Sequence, residues 1–370
     1  MKRSVLGSVD ELDEYREAWE ALRLECKAPI FVSYDLVRLW LDNYRGVVTP
    51  QIVVVEDKGE LVGLAPFCTY KHTATGVPVR TLTMTGNGKN IIGYSLLSIM
   101  AKDHEIEVVR ELVRGVKEAR WNLMQLFDLE PDITMLRFLD LAHQELDWQP
   151  YQETNNIFYE FPPEGDVASR FGKHTRKLLR STRRILEREG RLRFRALRTV
   201  DEAEAAMRLY VEQHIERWET KGGSTFREER NARQLVEMGK LAMANGSGVI
   251  YELLIDGKVA GQQFSFLDGE VVRGYRIGMS DEFKEHSPGK LVVMLSMEDL
   301  RARGFKGFDL LRGNEDYKHH MMTRERVLPA IQAQRGSLKL MSRVRNLPPV
   351  RMLDERLRLR ERMLKKVYRG

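Results

Sequence analysis

VVVEDKGELVGLAPF (residues 53–67) and YELLIDGKVAGQQF (residues 251–264) follow one plan of apolar strand, polar turn and apolar strand. Each turn carries Asp, Lys and Gly, residue types that tolerate the positive φ of a tight hairpin. The surroundings repeat as well. Helical patterns at Leu12 to Leu24 and Tyr34 to Tyr44 precede the first hairpin, and patterns at Asp201 to Thr220 and Asn231 to Asn245 precede the second. Both halves read as helix, helix, hairpin, further strand, helix, strand, so one α/β unit occurs twice.

The length of 370 residues agrees with a duplication, since single cores stop growing at roughly 250–300 residues. A seam falls at Glu160-Phe161-Pro162-Pro163-Glu164-Gly165, and paired prolines at Leu347-Pro348-Pro349 stop any helix there. The expected organisation is a first half over residues 1–160, a second over 161–345 and a basic helix over 346–370.

Charge is unevenly placed. The chain carries a formal net charge of +6, yet residues 343–370 hold ten Lys and Arg against Asp354, Glu355 and Glu361, which leaves the remainder slightly acidic. A second basic block runs from Lys173 to Arg188 with Glu187 as its one acid. Its Leu178, Leu179, Ile185 and Leu186 predict one buried stripe with the cations, Arg180 among them, on the other side. Two basic segments on a near-neutral body point to two places that meet anions. For the tail, Arg351 to Arg369, the candidate partners are an anionic membrane or a nucleotide, the plainer reading being a capping helix. No stretch approaches the ~20 apolar residues of a membrane span. The N-terminus turns acidic before an apolar signal region develops, so the expected location is the cytoplasm, or peripherally the inner face of the membrane. Cys26 and Cys68 read as reduced core thiols. Adjacent His319 and His320 lack the further ligands that zinc needs, so no metal is expected.

The densest chemical signal lies between Val271 and Lys318. Val271 to Gly278 reads as a strand, Ser287-Pro288-Gly289-Lys290 as the start of a helix, and Gly307 to Leu311 as a short strand before the polar loop Arg312 to Lys318. Ser suits the N-cap and Pro the first helical position. The first turn leaves N–H groups unpaired at the positive end of the helix dipole, and a glycine there admits a phosphate, to which Lys290 adds a charge. Acyl transfer needs a base near the nucleophile and a proton donor for the leaving thiolate. Asp309 or Glu315 offers the first, Tyr317 the second, and Lys318 a hold on an acceptor phosphate. His214, Arg217 and Trp218 share a helical face; that face either borders a site or buries Trp218 in the core.

Together with Phe171 to Gly190, the Asp256-to-Ala260 hairpin and Phe308-Asp309 with Gly313, these segments resemble the GNAT-superfamily acyltransferases of the cellulose-biosynthesis type, which are similar in turn to the Fem peptidyltransferases. The resemblance runs from about Trp19 to Met322 and implies tandem GNAT-like domains, each a mixed sheet flanked by helices. It implies an acyl-CoA donor such as acetyl-CoA at Ser287, Pro288, Gly289 and Lys290, with chemistry at Asp309, Tyr317 and Lys318. The acceptor is an amine or hydroxyl of a small-molecule sugar, polysaccharide or lipid-linked envelope precursor, facing Arg180, Arg217, Trp218, Gly313 and Glu315. The Gln/Arg-x-x-Gly-x-Gly/Ala loop of ordinary GNAT enzymes is absent, and Ser287-Pro288-Gly289-Lys290 occupies its place. An aminoacyl-tRNA donor of the Fem kind and a non-catalytic scaffold binding a nucleotide or membrane through its tail are the competing functions.

Overall fold

A computed structural model describes residues 1–340 apart from 75–76, 89–92, 152, 221, 314 and 337. The expected break at Leu347 and the basic helix from Arg351 to Arg369 lie outside the described residues.

The first half runs β1 (Lys2–Leu6), α1 (Arg16–Glu25), α2 (Tyr34–Asn43), β2 (Val48–Asp57), β3 (Glu60–Ala74), β4 (Val77–Met84), β5 (Met100–Ala101), α3 (Ile106–Glu118), β6 (Leu123–Leu126), α4 (Ile133–Leu146) and β7 (Gln149–Pro150). After β8 (Thr154–Glu160) and α5 (Lys173–Arg188), the plan returns as β9 (Leu192–Ala196), α6 (Val200–Trp218), α7 (Glu229–Ala244), β10 (Gly248–Ile255), β11 (Lys258–Asp268), β12 (Val271–Met279), α8 (Pro288–Ala302), β13 (Gly307–Arg312), α9 (Asp316–His319), β14 (Arg324–Leu328) and β15 (Ile331–Gln334). Both hairpins turn where expected. Lys58 and Gly59 have φ of 51° and 88°, and Asp256 and Gly257 have 52° and 78°, the two left-handed residues of a primed turn that matches strand twist.

Local chemistry sets the helices. Thr199 and Glu202 form a reciprocal capping box at the start of α6, and Asp132 accepts the Met135 N–H at 2.8 Å to start α4. Helix α3 buries Val108, Val109, Leu112, Val113 and Val116, one stripe at helical spacing. In α5 the buried positions are Thr175, Leu179, Thr182 and Leu186, whereas Ile185 is exposed. The stripe follows i, i+4, i+7, i+11 and takes in two threonines, which an apolar count passes over.

The first sheet has the order β1-β2-β3-β4-β6-β15-β7, with β5 attached to β3; the second has β14-β8-β13-β12-β11-β10-β9. Each sheet contains a strand supplied from across the seam. β8 precedes residue 161 yet lies between β13 and β14 of the second sheet, while β15, near the end of the described chain, lies between β6 and β7 of the first. Sheet membership thus crosses the expected seam in both directions.

Packing joins the halves further. Phe31 of the first half stacks on Tyr94 at 5.6 Å and meets Phe266 edge-on at 5.5 Å, and Tyr275 packs within 6.4 Å of Tyr94. Each such ring is worth roughly 1.5–3 kcal/mol when fully buried, and the apolar cluster that contains them runs from the first sheet onto one face of the second. The other face of the second sheet is covered by α5 and α8 through a separate cluster.

Candidate active site

β12 and β13 are parallel neighbours, but only Val271, Val272 and Arg273 find partners, in Gly307, Phe308 and Asp309. Beyond that the pairing ends. The Phe308 ring lies where a side chain on Gly274 would stand, and a bulge between Phe264 and Ser265 leaves Tyr275 without a register partner on β11. The open space past the carboxyl ends of two parallel strands, where α/β sheets generally admit ligands, is a pocket of about 370 Å³. Its walls are Tyr210, Gln213, His214, Arg217 and Trp218 of α6, Ile277, Gly278 and Met279 of β12, Gly289 and Lys290 of α8, and Glu315 and Tyr317 beyond β13.

One wall suits an anion. Pro288 has no N–H, and the Lys290 and Leu291 N–H groups both turn back to the Ser287 carbonyl, at 3.1 and 3.0 Å. Among the described residues no acceptor meets the Gly289 N–H, and no carboxylate pairs with Lys290. A first-turn donor, the helix dipole and a cation therefore border the same space. Ser287 sits at the N-cap with φ of 51°, and its side chain makes no capping bond; its carbonyl, not its hydroxyl, organises the turn. Neither Ser287 nor Pro288 lines the pocket.

The opposite wall carries proton chemistry. Burial first, then the Glu315 carboxylate, pushes the Tyr317 phenol above its ordinary pKa, so it stays protonated and available as a donor. Glu315 is half-exposed and pairs with Lys318 at 3.0 Å. Gly313, at φ of 133°, makes this loop possible. A β-carbon there would overlap Glu315 Oε2 and lie 2.7 Å from Lys318 Nζ.

His214, Arg217 and Trp218 border this pocket, and Trp218 is 41% exposed, so it is not a core residue. The His214 ring stacks on Trp218 at 5.7 Å, meets the Phe226 edge at 4.9 Å and bonds Ser224 Oγ through Nδ1 at 2.8 Å. Burial, with the nearby Arg276 and Arg217 charges, lowers its pKa to about 4, so the imidazole is neutral at physiological pH.

Besides Ser287 and Pro288, four expected site residues border no part of the pocket: Gly313, which shapes the loop, and Asp309, Lys318 and Arg180. Asp309 is fully buried on β13. Its carboxylate accepts from Arg273 at 2.7 Å and from the Leu311 N–H at 2.8 Å, which holds Leu311 at φ of 57° where the chain leaves the strand. Burial raises its pKa against the pull of Arg273. Lys318 is also buried, and its ammonium donates to the Arg312 carbonyl at 2.6 Å, so it is spent inside the loop and not offered to a phosphate. Arg180 pairs with Asp166 through Nε at 2.9 Å and borders no part of the pocket. Its neighbour Arg183 is likewise matched, to Glu187 at 2.7 Å and Glu298 at 2.8 Å. The expectation passed over Tyr210, Gln213 and the end of β12. The i, i+4, i+8 spacing of Tyr210, His214 and Trp218 was the readable signal for α6, whereas β12 is recruited by the parting of strands, which leaves no mark in sequence. Among the described residues no three His, Cys, Asp or Glu side chains converge on a metal position, and no helix is long and apolar enough to cross a membrane.

Residues 173–319 match the family model of the acetyltransferase (GNAT) domain. Among solved structures the chain is similar to the C-terminal domain of a putative lysylphosphatidylglycerol synthetase from Agrobacterium fabrum, at 12% identity and a TM-score of 0.56, over 91% of this chain and 96% of that one. It is similar to L-PGS from Bacillus licheniformis at 11% identity and 0.52, over 92% and 96%. A conserved protein of unknown function from Bacteroides thetaiotaomicron gives 11% and 0.54, over 90% and 100%. At these identities the likeness is one of fold. No curated protein matches the chain. The fold is tandem and GNAT-like, with two mixed sheets flanked by helices, and the domain match supports an acyltransferase.

Proposed function

We propose that the pocket past β12 and β13 takes an acyl-CoA, acetyl-CoA in the simplest case, and passes its acyl group to an amine or hydroxyl of a sugar or other envelope precursor. The supporting observation is that a glycine-bearing helix start with Lys290 and a loop with Glu315 and Tyr317 face one another across one space. The donor's pyrophosphate lies at the Gly289 N–H and Lys290. Its thioester extends toward Tyr317. The acceptor enters past Trp218 and Arg217, where an exposed indole offers a stacking face for a sugar ring.

In the reaction the acceptor nitrogen or oxygen forms a bond to the thioester carbonyl carbon, and Glu315 takes the proton released. The tetrahedral intermediate collapses with cleavage of the carbon–sulfur bond, and the thiolate takes the phenolic proton of Tyr317. Asp309 holds the strand end and takes no part. The sugar acceptor follows the cellulose-biosynthesis type that the motifs resemble. Acetyl-CoA, longer acyl-CoAs and charged tRNA, each added to purified protein, separate the donors by thermal shift, because a donor at ~100 times its Kd stabilises by about 2.7 kcal/mol. A shift with charged tRNA and none with any acyl-CoA would overturn this assignment.

A further inference from the structure

Glu315 and the one-turn helix α9, which carries Tyr317, follow directly on Arg312 at the end of β13, and the first half of the chain holds Arg312. The partner is Asp128, just beyond β6, whose carboxylate is completely buried. Asp128 has φ of 56°, a left-handed conformation uncommon outside glycine that persists where surrounding bonds enforce it. Those bonds are present. Its carbonyl accepts the Leu97 N–H at 2.9 Å, its Oδ1 accepts from Thr154 Oγ1 at 2.6 Å, and its Oδ2 forms an ion pair with the Arg312 guanidinium. A buried carboxylate requires a compensating cation, and here that cation is the last residue of β13.

The connection continues into the pocket. The Arg312 carbonyl accepts from Lys318 Nζ at 2.6 Å, and Lys318 pairs with Glu315 at 3.0 Å. A second clamp lies beside it, where Arg326 of β14 grips Glu130 at 2.5 and 2.8 Å. Neither Asp128 nor Glu130 borders the pocket. Both come from the connection after β6, the position in the first half that corresponds to the loop after β13 in the second.

We propose that Asp128 is a positioning residue: through Arg312 it sets the segment that carries Glu315 and Tyr317, so the first half of the chain orders the transfer site of the second. The kinetic consequence rests on the acyl-CoA reading above; the ordering of the segment does not.

The test uses the full chain and Asp128→Asn, which keeps the shape and the Thr154 acceptor and removes the charge. Arg312→Lys keeps the charge, shortens the reach and reads the same contact should Asp128→Asn fail to fold. Hydrogen exchange at the amides of residues 316–321 should quicken about tenfold in either variant, with the amides of α8 and β12 unchanged, as for a local opening. With acetyl-CoA as donor and glucosamine as probe acceptor, kcat should fall about tenfold at an unaltered KM for acetyl-CoA, since misplacing a reactive group costs rate while the donor wall is untouched. Asp128→Glu should recover part of both effects. Unchanged exchange at residues 316–321 in a folded variant overturns the positioning role, whatever the kinetics. A wild-type chain that neither binds nor consumes acetyl-CoA refutes the donor reading instead, and the exchange measurement still decides the role of Asp128.

Discussion

Replacing Gly289 with alanine adds one methyl group to the donor wall. The new carbon would meet Met279 Sδ at 3.5 Å, Ile277 Cγ2 at 3.6 Å and Met279 Cβ at 3.7 Å, all ordinary contacts, so the fold has no reason to move. Alanine is also the better helix former, by up to ~1 kcal/mol in a helix interior. The variant should therefore melt at or slightly above the wild-type temperature. Ile277 and Met279 line the pocket with Gly289, so the methyl projects toward the space in which a phosphate would approach the Gly289 N–H. Losing one hydrogen bond to a charged group costs about 1.5–3 kcal/mol, or about 10- to 150-fold in Kd. Valine, with two further carbons, should lose more. Isothermal titration with acetyl-CoA measures the affinity, and a melt without ligand controls for stability. An affinity for acetyl-CoA within threefold of wild type in both variants would place the donor somewhere other than the start of α8.

Tyr317→Phe removes the proposed proton donor to the thiolate and should lower kcat by ~10² or more with little change in stability; normal turnover would assign that proton to another group. Asp309→Asn should act on stability, because it removes the fully buried one of Arg273's two counter-charges and leaves only Asp268, at 2.9 Å, to hold the guanidinium; the expected loss in urea unfolding is about 1.5–3 kcal/mol, the range for a hydrogen bond to a charged group, and a variant as stable as wild type would contradict the anchoring role. His214 has a folded pKa of about 4 against an ordinary value of 6.5. The unfolded chain thus binds the extra proton first, and stability from this group is fully present above pH 6.5 and declines as pH falls toward 4. His214→Gln should flatten that part of the stability profile, and an imidazole NMR titration with a midpoint near 6.5 would remove its basis.

The duplication could be read before any coordinates because it rests on local chemistry. A two-residue turn of Lys58-Gly59 or Asp256-Gly257 admits positive φ wherever it occurs, and a stripe such as Val108 to Val116 fixes a helix face by spacing alone. Ser287-Pro288-Gly289-Lys290 is local in the same way, and it did mark a helix start, with the glycine and the lysine facing the pocket. The roles of Asp309, Lys318 and Arg180 were not legible, since a carboxylate or ammonium looks the same in sequence whether it faces a ligand or a buried counter-ion. Only the fold sets Arg273 against Asp309 and the Arg312 carbonyl against Lys318. The exchange of β8 and β15 between the sheets is likewise a long-range pairing, and a strand's composition says which face it buries but not which sheet it joins. The pocket itself depends on β12 and β13 ceasing to pair after Arg273 and Asp309, where the Phe308 ring meets Gly274. That contact joins residues 34 positions apart in the sequence, and nothing short of the packed structure brings them together.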